Sequence, residues 1–293
     1  MQAFSTSPCA DAIKSVAFDG NMLVFQNGSQ FKRVMECLVQ KVDDHGDAFD
    51  TQTDGMTDED AEVYAQSVNF DEDQPLINFE NHLGFYSLRT KIEADLVQWL
   101  NHPVLDETTD PDNHVVIDDV LRALLNPAGE VKVDGTVYNF TTLGNMPQPE
   151  GGLFSCYLFG RNSDNKTYDN GKKRLGVRTS LVGIPFSLHS AAKTKAVSYQ
   201  LASGGRAWKK FRTKLSIQLN GGFRDFSCDN IGLSSRFKEK KRRKLVARYF
   251  SFQSNFYPSQ LHWLCKNNDF GSLVQSPNHP DAFLSVPIKM IWY

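Results

Sequence analysis

KKFRTKLSIQL, residues 209–219, sets the character of the second half of the chain. Phe211, Thr213, Leu215, Ile217 and Leu219 fall on one side of an extended strand, and Lys210, Arg212, Lys214, Ser216 and Gln218 fall on the other. One face suits a core and the other is basic. Further segments of alternating or β-branched residues surround it, separated by the turn-forming runs DNGKK, ASGG, NGG and CDN, up to a last strand over 284–293. Short strands at this spacing predict a mainly antiparallel sheet, as a sandwich or an open barrel.

Upstream of the Gly/Pro-rich stretch GNMPQPEGG (144–152) the texture is different. A short strand over Met22–Phe25 leads through the turn Asn27-Gly28 to Ser29, a helix N-cap, and to an apolar face of Phe31, Met35, Leu38 and Val42. The acidic stretch 43–62 has few large apolar groups and reads as a loop with a short helix at its end. Phe85, Leu88, Ile92, Leu96 and Trp99 mark a second helix, and Val115–Leu125 a third. EVKVDGTVYNFTT is a hairpin turning at Asp134-Gly135. The expected fold is therefore α+β, a small acidic α+β domain over 1–147 followed by a basic β-rich domain over 148–293.

Charge divides the chain the same way. Residues 1–150 hold 27 Asp/Glu and 8 Lys/Arg, a net −19, whereas residues 151–293 hold 7 and 24, a net +17. The whole 293-residue chain carries only −2. The basic excess peaks in RFKEKKRRKLVAR (236–248), with eight cations in thirteen positions. An unpaired buried Lys or Arg is costly, so Lys238–Lys244 reads as an exposed loop or hairpin tip, with the strand starting near Leu245. Lys210, Arg212, Lys214, Lys240, Lys241, Arg242, Arg243 and Lys244, with the aromatics Trp208, Phe237 and Tyr249, form a candidate anion-binding surface. Three partners fit it: a polyanion (nucleic acid or acidic glycan, with lipid headgroups as a further anionic surface), an acidic protein surface that includes another copy of this chain, and the acidic half of the same chain.

Catalytic and metal motifs are sparse. Ser29-x-x-Lys32 and Ser235-x-x-Lys238 match a serine–lysine nucleophile pattern, and Ser163-Asp164-Asn165 matches a second motif of the same acyl-transferases. The third motif is present only as Lys193-Thr194-Lys195, and the intervals are wrong, so the matches read as coincidence. GxSxG, HExxH and P-loop sequences are absent. Asp50 to Gly55 opens like a calcium loop, but its twelfth position is Ala61. Asp106, Asp110, Asp112 and Asn113 are a better oxygen cluster, and turn and cap work accounts for them. No metal and no cofactor are expected.

The five cysteines form no CxxC pair. Cys37 reads as a small core residue on the first helix, and a Cys156–Cys228 bridge is possible; the pairing stays open. No window reaches the ~18 apolar residues of a membrane-spanning helix. Residues 1–10 show no signal peptide, and Cys9 has no lipobox residue before it, so the chain reads either as cytoplasmic or as trimmed of an export signal.

Asn21 to Phe25, then Phe85 to Leu100, then Asp118 to Asn126 with Glu130-Val131 and Tyr138 together resemble the N-terminal segment of a family of uncharacterised exported proteins and predicted lipoproteins of Bacteroidetes-type bacteria. The matches span roughly residues 18–140. The resemblance implies export, a cell-envelope or secreted location and a non-enzymatic role, and it brings no catalytic residues. The leading expectation is an exported binding or structural module with opposed charges on its two halves. The alternatives are a polyanion-binding protein and a hydrolase whose site assembles only in three dimensions.

Overall fold

The computed structural model describes residues 8–141, 159–183, 190–224, 230–251, 271–276 and 279–287. Its first part is helical. α1 (Pro8–Lys14) is followed by β1 (Ala17–Phe18) and β2 (Leu23–Phe25), then α2 (Gly28–Gln52), α3 (Asp58–Ser67), α4 (Gln74–Leu83), α5 (Leu88–Leu100) and α6 (Asp119–Leu124). The hairpin β3 (Glu130–Val133) and β4 (Thr136–Asn139) completes a four-stranded sheet in the order β1-β2-β3-β4, with β2 parallel to β3. Asp134 and Gly135 both have positive φ, 51° and 74°, as the expected tight turn requires. Phe25, Phe31, Met35, Leu38, Leu76, Phe79, Ile92 and Leu124 share one core beneath the helices.

The second part is antiparallel. β5 (Phe159–Tyr168), β6 (Lys173–Gly183), β7 (Ser190–Leu201) and β11 (Lys244–Ser251) form a sheet ordered β11-β7-β6-β5, with the short β8 (Trp208–Lys210) on β7. β9 (Thr213–Arg224), β10 (Asn230–Arg242), β12 (Gly271–Ser276) and β13 (His279–Pro287) form the other sheet, ordered β10-β9-β12-β13. Leu175, Val177, Ala196, Leu245 and Ala247 from the first sheet meet Leu215, Ile217, Val274 and Leu284 from the second in one core. Among the described residues this is sandwich packing, and the strands close no barrel. The α+β expectation holds, with helices in the N-terminal part and antiparallel sheets in the C-terminal part.

Several local expectations are corrected. The helix begins at an Asn27 cap, whose side chain accepts from the Gln30 N–H at 2.9 Å, and not at Ser29. It then runs through the acidic stretch to Gln52, where a loop was expected. Isolated polar sequence has little reason to stay helical, but here Asp43, Asp47 and Asp50 recur at spacings of four and three and face cations of the sheet. The strand expected over 209–219 is interrupted: Phe211 and Arg212 lie between β8, on one sheet, and β9, on the other. Lys238–Lys244 is not an exposed tip. Residues up to Arg242 belong to β10, those from Lys244 belong to β11, and Arg243 alone makes the turn. The strand expected over 284–293 lies in β13, and residues 288–293 fall outside the described residues.

Cys37 is in the core, as expected, but bonded to Cys9, which staples α1 to α2. Cys156, Cys228 and Cys265 fall outside the described residues. The 28-residue separation of the bridged cysteines corresponds to a loop-closure contribution of roughly 3–4 kcal/mol. Cys9→Ser or reduction should therefore lower the urea midpoint and, because the chain without the bridge unfolds to a more expanded state, raise the m-value.

Candidate functional site

The alternation of each strand decides where its cations point. On β6, Leu175 and Val177 enter the sandwich core, so Arg174 and Arg178 face the helices. On β7, Ala196 is in the core, and Lys193 and Lys195 project the other way. On β11, Leu245 and Ala247 are in the core, and Lys244 and Arg248 project outward. The result is one basic sheet face, and the helical part lies on it. Same-face residues of a strand are about 6.8 Å apart, and residues three or four apart on a helix are about 4.5–6 Å apart. At β10, the edge strand of the other sheet, the two repeats match closely enough for a ladder with α2: Lys238 with Asp43 at 2.9 Å, Lys240 with Asp47 at 2.9 Å, and Arg242 with both Asp47 and Asp50. Gly46 makes room for this ladder, since a Cβ there would fall 2.6 Å from the Arg242 guanidinium.

The centre of the contact is buried. Asp118, the N-cap of α6, accepts from the Val120 N–H and pairs with Lys193 at 3.1 Å and with Arg248 through two bonds of 2.8 and 3.0 Å. Asp112 accepts from Lys195 at 2.7 Å and from Arg122 at 2.5 Å, and Asp119 accepts from Lys195 at 2.9 Å and Lys244 at 2.6 Å. Arg178 reaches Asp110 and Asp112. Burial alone would raise the Asp118 carboxyl, but Arg248 and Lys193 outweigh it and hold it far below the usual carboxylate range. Burial is likewise outweighed at Asp112 by Lys195, Arg122 and Arg178, and at Asp119 by Lys195, Lys244 and Arg122. Burial prevails at Lys193 and Lys195, whose ammonium groups are pushed down despite their partners. An apolar cluster flanks the charges, where Leu96, Trp99 and Leu100 of α5, with Leu105, pack on Val197 and Tyr199 of β7.

Arg212 is the deepest of the expected site residues. Strand alternation puts it on the basic side away from the core, yet it is 0% exposed. Its guanidinium pairs with Glu72 and Asp50, each at 2.7 Å, and lies 4.5 Å from the centre of the Phe49 ring. Lys210 pairs with Glu93 at 2.7 Å, Arg243 with Glu62 at 2.7 Å, and Lys244 with Asp73 at 2.5 Å as well as with Asp119. Lys241 donates to the carbonyls of Met56 and Thr57. Lys214, more exposed, meets Glu239 across the β9–β10 pair at 2.7 Å. Trp208 donates to the Pro103 carbonyl at 3.1 Å, and Phe237 is 62% exposed. Tyr249 pairs with Ala192 in the β11–β7 register, and its side chain lies outside the described residues.

Arg174, Arg178, Lys193, Lys195 and Arg248 were missed as members of this surface. Their signal is in the sequence, since Lys193 and Lys195 alternate along one strand and Arg174 and Arg178 share a side of another, but Lys193-Thr194-Lys195 also matches part of a catalytic motif. The oxygen cluster near residue 110 has found cations from the protein itself. Among the described residues no group of His, Cys, Asp and Glu is arranged to hold a metal ion, and no helix is long and apolar enough to cross a membrane.

The fold and the charge layout define an α+β protein whose acidic helical part is seated on a basic sheet. No protein-family profile matches the chain, and neither does any curated protein. Among solved structures it is similar, very distantly, to a DUF4848 family protein from Bacteroides thetaiotaomicron, with 9% identity over 93% of this chain and 100% of that one, and a TM-score of 0.23.

Proposed function

We propose that the protein is an exported, non-catalytic binding module in which the opposed charges serve to dock its two parts. The observation that carries this reading is the fate of the eight cations expected to meet an external anion. Seven of them meet carboxylates or carbonyls of the helical part, and Lys214 meets Glu239. A surface already neutralised by its own chain has few counterions left to release to nucleic acid or an acidic glycan. The Cys9–Cys37 bridge supports the export part of the reading, because such bridges persist in oxidising compartments.

Fluorescence anisotropy of the full chain with a labelled oligonucleotide and a labelled acidic polysaccharide, at low and moderate salt, tests this. The expected result is no binding at either salt. Tight binding that weakens steeply as salt rises would instead favour the polyanion-binding alternative.

A further inference from the structure

A cleft of about 530 Å³ opens along one edge of the docked interface, between α3, α5 and β8. Its size is that of a small-molecule site. Two properties separate it from the basic surface considered above. First, its charged lining is balanced: five acids, among them Glu62, Asp71 and Glu93, stand against five bases, among them Lys209, Lys210 and Arg243. Such a rim has no net attraction for an anion or a cation, yet it offers donors and acceptors at close intervals. Second, one wall is an apolar strip of Leu96, Val97, Leu100 and Trp208. Val97 is 61% exposed, although its neighbour Leu96 is buried, and the bond from the Trp208 indole N–H to Pro103 fixes the ring in place.

One cation of the lining stands outside the docking pairs. The ammonium of Lys209, which is exposed, has no carboxylate partner among the described residues. It can donate to a ligand hydroxyl, and the rim carboxylates can accept from one.

We propose that this cleft binds a neutral, sugar-sized polyhydroxyl ligand, with an apolar face of the ligand against Trp208 and Val97 and its hydroxyls on the balanced rim. Each hydroxyl both donates and accepts, so one ligand can use both kinds of rim group, and it can do so without bringing charge to a site that has none to spare. This inference rests on the reading of the protein as a binding module.

The test uses the full chain labelled with ¹⁵N. Its four tryptophans give separate indole N–H signals, and Trp208→Phe assigns the one that matters. Maltotriose, cellotriose and triacetylchitotriose are titrated one at a time. The expected result is a saturable shift of the Trp208 signal with at least one trisaccharide, unchanged at high salt. Val97→Arg, at an exposed position that leaves the core intact, should weaken that binding roughly tenfold or more, the order expected when about 1.4 kcal/mol of apolar contact with the ligand is lost. If none of the three shifts the signal, or if Val97→Arg binds as well as the parent chain, the proposal is overturned. A shift produced only by an acidic heparin fragment would overturn it too. Cleavage of a bound trisaccharide would support the cleft and overturn the non-catalytic reading, so the two failures are distinguishable.

Discussion

Asp112→Ala should destabilise the protein by about 3–5 kcal/mol, the usual cost of stripping one partner from a buried ion pair. Asp112 faces three cations, Lys195 at 2.7 Å, Arg122 at 2.5 Å and Arg178 at 3.5 Å. All four side chains are nearly inaccessible to water. Without the carboxylate, Arg122 and Lys195 still have Asp119, and Arg178 still has Asp110, but the group carries one more positive charge than before in a medium that solvates it poorly. Urea unfolding at neutral pH measures the loss. Asp112→Asn, which keeps the shape and an acceptor, should cost less. A change below about 0.5 kcal/mol, typical of surface positions, would mean that the network is wetter than the geometry indicates.

Acid should be the most effective denaturant. The carboxyls of Asp112, Asp118 and Asp119 are all held below their ordinary value in the folded protein. A carboxyl depressed in the folded state contributes stability that is fully present above its unfolded value of about 3.9, and that stability is lost as the pH falls toward the folded value. Protonating these groups also leaves Lys193, Lys195 and Arg248 charged and buried without counterions. Thermal melts should therefore be nearly flat from pH 8 to pH 6 and fall steeply below pH 4. Tm at pH 3 should lie about 10 °C or more under its neutral value. The alkaline side should be shallower. The ammonium groups of Lys193 and Lys195 are lowered and those of Lys210 and Lys244 are raised. The first pair gains stability as the pH climbs toward the unfolded lysine value of about 10.4, and the second pair loses it above that value. A melting temperature that holds down to pH 3 would contradict the account.

What could be read from the sequence was mainly periodicity. Leu88 to Trp99 gave α5, although Phe85 lies ahead of its Ser87 cap, Leu215, Ile217 and Leu219 gave an inward-facing strand, and Asp134-Gly135 gave a hairpin, because each rule is local and acts over a few residues. The charge polarity of the two halves was equally plain, and docking between them was one of three readings it allowed. Choosing among the three required knowing what lies opposite each cation. The rule that buried Lys and Arg are costly assumes no partner, and here it failed because the partners sit far off in sequence: Arg248 meets Asp118 across 130 positions and Lys238 meets Asp43 across 195. The same long-range pairing explains why 43–52 was read as a loop. Its helix has a charged face that is satisfied only by the sheet. Helix α4 was missed although it has the usual local marks, a proline in its first turn and Gly84 in the left-handed region at its end. The cleft beside Trp208 had no sequence signal, since its walls come from elements far apart in the chain.

Buried pairs that join the acidic helices to the basic sheet should register in a double-mutant cycle on Asp118 and Arg248. Unfolding free energies are compared for Asp118→Ala, Arg248→Ala and the double variant. The expected coupling energy is about 1.5 kcal/mol or more, as found for close charge pairs. Additivity within about 0.5 kcal/mol, the behaviour of residues that do not touch, would show that the two side chains do not meet and would contradict the docked arrangement.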